Sequence, residues 1–158
     1  MGQFIDLTAA DGQKIPAYVA EPAGQPKGAV VVLQEIFGVN AHIREVADGY
    51  AKDGYLAVAP STFHRVKPNV ELGYTDADMQ EGFGYKTAVD ALPAPGVMQD
   101  LQAAVDYAGA ESGGKVGIVG YCWGGLLTWR AACTLDGLAA AVPYYGGGMT
   151  TPAEIART

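Results

Sequence analysis

Apolar residues recur along the chain in two alternating patterns, short unbroken runs and longer stretches with helical spacing. The runs are typical of strands buried on both faces of a parallel sheet and lie at residues 29–33, 55–59 and 115–119. The helical stretches place apolar side chains three or four positions apart and lie at residues 41–53, 77–91 and 97–110. Strands that alternate with helices at this spacing predict an α/β domain with a mostly parallel sheet flanked by helices.

A different strand pattern is found near the start of the chain. Residues 4–8 and 15–20 have strand-like patterns and flank the dipeptide Asp11-Gly12. This dipeptide is favoured in the tight turns of hairpins. We therefore expect an N-terminal antiparallel hairpin beside the parallel strands.

The remaining segments complete the predicted domain. Residues 138–145 form another apolar run and predict one more buried strand. The stretch 61–76 is mostly polar and predicts a long surface loop. Because no repeat or linker divides the sequence, we expect a single domain over residues 1–158.

The most informative motif is the sequence GYCWGG at residues 120–125. It follows a predicted strand and precedes the apolar run at 126–132, which is the context of a nucleophile elbow. The sharp turn of such an elbow leaves room only for glycine near its central residue and lifts that residue, here Cys122, toward solvent. A glycine-rich turn can also join any strand to any helix, and Cys122 is then simply a small buried residue.

A second segment favours the catalytic interpretation. Residues 33–40, with the sequence LQEIFGVN, follow an apolar run and precede a helical stretch. In α/β-hydrolases the loop at this position supplies half of the oxyanion hole. Two separate segments thus agree on one chemistry.

Together these motifs resemble the dienelactone hydrolase family. The resemblance runs in register to the YYG sequence at 144–146 and covers essentially the whole chain. It rests on QEIFG at 34–38, AP at 59–60, FHR at 63–65, YK at 85–86, KVG at 115–117 and GYCWGG at 120–125. It implies an α/β-hydrolase-type fold, a small-molecule carboxylic ester or lactone as substrate, and no cofactor.

Acyl transfer needs a nucleophile, an acceptor for its proton and donors for the developing oxyanion. Cys122 is the only residue placed to be the nucleophile, and the following helix N-terminus would favour its reactive thiolate. The backbone N–H groups of Ile36 and Trp123 are the expected oxyanion-hole donors.

Glu35 is the candidate proton acceptor. Its position alone favours a structural salt bridge or a backbone cap, because a carboxylate at the end of a buried strand is costly to leave unpaired. The resemblance implies instead that Glu35 pairs with the thiol and takes its proton when substrate binds. We therefore predict Cys122 and Glu35 as catalytic residues, and no metal site.

Substrate contacts are predicted at two further residues. The resemblance implies that Tyr85 borders the active site, and Arg65 would contribute if its loop turns inward. The family's best-known members have an arginine for the substrate carboxylate where this chain has Glu81, so the particular acid stays open. His64 could stand in for a base, but surface packing or a substrate contact is favoured.

The chain resembles the N-terminal two-thirds of such a hydrolase. The family's catalytic aspartate and histidine follow the nucleophile, whereas no histidine follows Cys122 and the only later aspartate is Asp136. Two hypotheses follow: a cysteine hydrolase whose missing groups lie elsewhere, or an inactive truncated relative that acts as a binding module or fold fragment. In both, the last strand becomes an exposed sheet edge, which predicts self-association.

Composition excludes some partners. The net charge of −7 and the lack of a basic run argue against nucleic acid and against an anionic membrane surface. No apolar stretch approaches the length of a membrane span, and no secretory leader is evident, so a cytoplasmic protein is expected. The two cysteines, Cys122 and Cys133, have neither a disulfide framework nor zinc-like spacing.

Overall fold

The computed structural model describes residues 2–157 and contains a six-stranded sheet covered by helices. The strands are β1 (Gln3–Thr8), β2 (Lys14–Ala20), β3 (Ala29–Leu33), β4 (Leu56–Pro60), β5 (Val116–Tyr121) and β6 (Leu138–Tyr144). The helices are α1 (Ala41–Lys52), α2 (Asp76–Asp90), α3 (Met98–Ser112), α4 (Trp123–Thr134) and α5 (Pro152–Ile155). Residues 1 and 158 of the predicted domain lie outside the described residues. The predicted α/β alternation is confirmed.

The strand order in the sheet is β1-β2-β4-β3-β5-β6. Strands β4, β3, β5 and β6 are parallel, whereas β1 and β2 form the predicted antiparallel hairpin and β2 joins β4 in antiparallel register. The carboxyl ends of β3 and β5 therefore lie side by side at one edge of the sheet. This is the edge at which ligands bind in open α/β sheets.

Two hydrophobic clusters cover the two faces of the sheet. On one face, α1 packs Ile43, Ala47 and Ala51 against the central strands. The other face is covered mainly by α3 and α4, whose buried core residues include Leu101, Ala104, Val105, Ala108, Leu127 and Ala131. Their spacing of three and four positions is the helical pattern present in the sequence.

Two predictions about burial depend on what packs against the segment. Strand β6 lies where the sequence placed it; its apolar run alone predicts a buried strand, but it is the exposed edge strand expected from the resemblance, and Val142 and Tyr144 are each 47% exposed. An apolar run is buried only when neighbouring layers cover it, and no strand among the described residues pairs with the outer side of β6. Within the predicted surface loop 61–76, Thr62 and Phe63 are buried. Phe63 packs into the core against Trp123 of α4.

Candidate active site

Cys122 occupies a sharp turn between β5 and α4. Its backbone has φ 56° and ψ −120°, a conformation that residues with a side chain rarely adopt. Its carbonyl accepts from the N–H of Gly125 at 2.9 Å, and its own N–H donates to Tyr144 at 3.1 Å. The side chain is half-buried. This strained geometry is that of a nucleophile elbow and not that of an ordinary strand-to-helix connection.

The glycines around Cys122 allow the close approach that the turn requires. A Cβ at Gly120 would collide with the carbonyl oxygen of Gly124 and with the side chain of Thr128. A Cβ at Gly124 would collide with the carbonyl oxygen of Gln34. The glycines of the motif therefore reflect backbone packing, as the sequence predicted.

The same contact brings the second motif to the elbow. Because Gly124 lies against the Gln34 carbonyl, the loop after β3 adjoins the first turn of α4. Ile36 is buried in this loop, and Trp123 is the first residue of α4. Among residues 2–157, no acceptor is found for the backbone N–H of either residue. Both groups can thus serve as donors to a ligand at the elbow.

Glu35 is half-buried in the loop after β3. Its Oε2 accepts a hydrogen bond from the hydroxyl of Tyr74 at 3.1 Å. No salt bridge to Glu35 is found in the described part of the chain, so the structural ion pair considered from its position is absent there. The carboxylate is available to a proton donor.

Tyr145 is electrostatically coupled to both predicted catalytic residues. It follows β6, has φ 40° and is 68% exposed. Partial burial raises the pKa of Tyr145, and the nearby charges of Glu35 and Cys122 raise it further. Glu35 and Cys122 therefore both lie within electrostatic range of this phenol. Tyr145 belongs to the YYG sequence at 144–146, for which no role was predicted.

Tyr85 lies at the outer end of a stack of aromatic rings beside the elbow. The ring of Phe63 stacks on Trp123 with centroids 5.2 Å apart, and Tyr85 tilts against Phe63 at 5.6 Å. Tyr85 donates its hydroxyl to Glu81 at 2.5 Å, and this bond is the main cause of the raised pKa of Tyr85. Trp123 and Phe63 are buried, so only Tyr85 of the three can border a ligand.

Arg65 does not join this group. Its guanidinium binds the buried carboxylate of Asp100 at 2.6 Å, and it also binds Asp11 at 2.7 Å and Gln13 at 2.9 Å. The hydrogen bonds to Asp100 and then to Asp11 raise the pKa of Arg65. Its loop turns toward the hairpin and α3, so the inward orientation that a substrate contact would need is not observed.

Among residues 2–157, no three His, Cys, Asp or Glu side chains are grouped as a metal ion would need. In the same part of the chain, no helix is long and apolar enough to cross a membrane.

Comparison with known proteins agrees with this geometry. Residues 15–158 match the dienelactone hydrolase family. A carboxymethylenebutenolidase of Pseudomonas putida is 39% identical over 147 residues, which are 92% of this chain and 61% of that protein. A solved structure from Klebsiella pneumoniae, named as a candidate dienelactone hydrolase, is 36% identical with a TM-score of 0.74 and is matched by 92% of this chain over 60% of its own length.

The chain therefore spans about three-fifths of the length of these relatives. The matched part includes the strand–elbow–helix unit, the loop that carries Glu35 and the aromatic stack. Since the family match covers nearly all of the sequence and these features are in place, the chain belongs to the dienelactone hydrolase family.

Proposed function

We propose that the protein hydrolyses a carboxylic ester or lactone through a thioester on Cys122. The observation that carries this proposal is the strained backbone of Cys122 at the elbow, next to a loop that contributes an unpaired N–H and the Glu35 carboxylate. Strain of this kind costs on the order of 1–3 kcal/mol and is typical of functional sites. A binding module would have no need for a thiol held in this way.

The proposed acylation step uses groups within this chain. Glu35 accepts the thiol proton while the sulfur attacks the substrate carbonyl carbon, and the carbonyl electron pair moves onto oxygen. The N–H groups of Ile36 and Trp123 stabilise that oxyanion. Its collapse re-forms the carbonyl and expels the alkoxide, which takes a proton from Glu35. The product is a thioester on Cys122 and a free alcohol.

Deacylation needs a water molecule and a base that activates it. In the described part of the chain, no histidine follows Cys122, and His64 lies in the loop after β4 next to Arg65, whose guanidinium binds Asp100. We therefore propose that groups outside residues 2–157, or on another chain, complete the cycle. A non-catalytic relative remains the competing hypothesis, and the first experiment separates the two.

The test is the reaction of the 158-residue chain with p-nitrophenyl acetate, followed from mixing onward. The expected result is a burst of p-nitrophenol close to one equivalent of protein, with the acetyl group found on Cys122 by peptide mass spectrometry. Steady turnover would show that a base for deacylation is also present. Absence of acetyl-Cys122 in protein that melts cooperatively would overturn the proposed function.

Glu81 is expected to disfavour anionic substrates. Glu81 lies one residue before Gly82. An added Cβ at Gly82 would collide with the Ile36 carbonyl oxygen, so this part of α2 touches the loop after β3. At a separation of about 8 Å in water, two unit charges interact by about 0.5 kcal/mol, which is roughly twofold in rate. We expect Glu81→Gln to raise the acylation rate of a carboxylate-bearing aryl ester about twofold relative to its neutral methyl ester.

The measurement is the ratio of burst rates for the two esters at low ionic strength. Salt should reduce the difference between the variants, because exposed charges are screened. Glu45→Gln, a change on α1, serves as the matched control and should leave the ratio unchanged. A ratio that is the same in wild type and Glu81→Gln would show that Glu81 does not face the substrate.

We also propose that the 158-residue chain pairs with a second copy of itself along β6. The outer edge of this strand is unpaired among the described residues, and Val142, Tyr144 and Tyr145 are exposed beside it. Antiparallel pairing of two β6 strands would satisfy the backbone groups and bury these apolar side chains.

Sedimentation velocity at increasing concentration should reveal this dimer. A lysine on the exposed edge, Val142→Lys, is expected to shift the protein to monomer, because edge lysines oppose strand pairing. Phe4→Lys, on the opposite edge strand β1, is the matched control, since Phe4 is also exposed. A monomer at all concentrations, or equal effects of the two lysines, would contradict pairing through β6.

A further inference from the structure

Tyr74 contacts Glu35 and lies in a loop for which the sequence motifs predict no function. The loop is joined to the QEIFG segment by a bridge between Gly38 and Glu71, and the N–H of Leu72 donates to the carbonyl of Phe37 at 2.8 Å. Gly38 has φ 81°, and a Cβ there would collide with the Val70 carbonyl oxygen. The glycine thus permits a backbone approach that brings residues 70–74 alongside the Glu35 loop.

Asn40 determines which hydrogen bonds the Tyr74 hydroxyl can make. The side chain of Asn40 caps α1, because its Oδ1 accepts from the N–H of Ile43 at 3.2 Å. This fixes the orientation of the amide, so Nδ2 donates to the Leu72 carbonyl and to the Tyr74 hydroxyl, each at 3.2 Å. Asn40 is buried, which holds the arrangement in place.

The direction of the next hydrogen bond follows from this arrangement. A tyrosine hydroxyl has one hydrogen to donate, and its oxygen here already accepts from Asn40. Its hydrogen is therefore directed to the other polar neighbour, the Oε2 of Glu35 at 3.1 Å. The edge-to-face contact of Tyr74 with Phe37, at 4.6 Å between centroids, fixes the ring. The helix cap thus orients a donor toward the carboxylate.

We propose that Tyr74 is a positioning residue that holds Glu35 by one carboxylate oxygen and leaves the other oxygen for the Cys122 thiol. This inference rests on the proposed role of Glu35 in accepting the thiol proton. The function it assigns to Tyr74 is orientation, since the phenol keeps its own proton throughout. Without this bond, the half-buried Glu35 side chain is free to rotate into solvent.

The test measures alkylation of Cys122 in a Cys133→Ala background, so that a single thiol reacts and no complete catalytic cycle is needed. Tyr74→Phe keeps the ring and its contact with Phe37 but removes the donor. We expect it to slow the reaction with iodoacetamide about three- to tenfold, which is the range for loss of an ordinary, partly solvent-exposed hydrogen bond. In a Glu35→Gln background, Tyr74→Phe should change the rate less than twofold.

The charge of the reagent supplies a second readout that a packing role would not move. A carboxylate fixed beside Cys122 repels iodoacetate but not iodoacetamide. Tyr74→Phe should therefore raise the ratio of the iodoacetate rate to the iodoacetamide rate, and Glu35→Gln should raise it at least as much. Tyr55→Phe is the matched control and should leave both rates unchanged. Tyr55 directly precedes β4, at the end of the parallel strands away from the elbow.

The outcomes separate this inference from the proposed function. If Glu35→Gln slows alkylation and Tyr74→Phe does not, the positioning role is wrong and the role of Glu35 stands. If Tyr74→Phe slows alkylation equally with and without Glu35, Tyr74 acts through packing, and the inference is again overturned. If Glu35→Gln reacts at the wild-type rate, both the role of Glu35 and its positioning by Tyr74 are wrong.

Discussion

Cys122→Ala is expected to abolish the burst of p-nitrophenol and every acetylated peptide that contains position 122. In the proposed mechanism Cys122 is the one nucleophile at the elbow, and neither of its neighbours, Tyr121 and Trp123, is a serine or cysteine that could replace it. In enzymes with a complete triad, loss of the nucleophile costs about 10⁶ in kcat. For a single acylation of an activated ester, we expect the initial rate to fall at least about 100-fold, to near the rate in buffer.

Cys133→Ala is the matched control for this experiment. Both cysteines are half-buried, but Cys133 lies within α4 and has ordinary helical geometry, whereas Cys122 is at the strained N-terminal turn. The control should keep the burst within about twofold, as expected for a change outside the reacting group. Equal bursts in wild type and Cys122→Ala would show that acylation occurs at another residue.

The sequence predicted the active-site framework because backbone geometry restricts residue choice there. Gly120 and Gly124 are needed to avoid collisions between main-chain atoms, and that requirement appears directly as a pattern of glycines. The proposed oxyanion donors could be named from the sequence for a related reason, since they are backbone groups whose positions follow from the strand and the turn. The side chains of Ile36 and Trp123 are packing groups.

Contacts between side chains distant in sequence were less accessible to prediction. Arg65 was considered as a substrate contact because its loop follows β4, but its partners Asp11 and Asp100 come from the hairpin and from α3. Tyr74 was missed for the same reason, because its contact with Glu35 depends on the bridge between Gly38 and Glu71 that brings its loop to the site. The one sequence signal was Asn40, whose position before α1 marks it as a helix cap.

The exposure of β6 illustrates a further limit. Its apolar run alone predicts burial, whereas the resemblance to the N-terminal two-thirds of a longer hydrolase predicts an exposed edge, and the exposed edge is observed. The apolar pattern therefore locates the strand, but its burial depends on a covering layer that the described residues do not supply.

The largest expected effect on stability is that of Asp100. Its side chain is 1% exposed and accepts three hydrogen bonds from the Arg65 guanidinium, at 2.6 to 3.0 Å. Burial raises the pKa of Asp100, and the hydrogen bonds from Arg65 oppose that shift. The charged pair is thus held in an environment that is unfavourable to either charge alone. Removing one partner leaves the other buried without its main counter-charge.

Asp100→Ala is therefore expected to lower the free energy of unfolding by about 3 kcal/mol, at the low end of the range for breaking a buried ion pair because Arg65 keeps Asp11 as a partner. Urea denaturation at neutral pH measures the change. Asp106→Ala on the same helix is the control, since Asp106 is exposed and its loss should cost less than about 1 kcal/mol.

The double variant Asp100→Leu with Arg65→Met distinguishes loss of the pair from loss of packing. Replacing both charges by apolar groups of similar volume removes the need to bury either charge, and such replacements are often neutral or stabilising. We expect the double variant to recover most of the stability that Asp100→Ala loses. Its acylation burst should also remain, because Arg65 binds the hairpin and α3 and not the substrate. A burst lost in a stable double variant would instead restore Arg65 as a substrate contact.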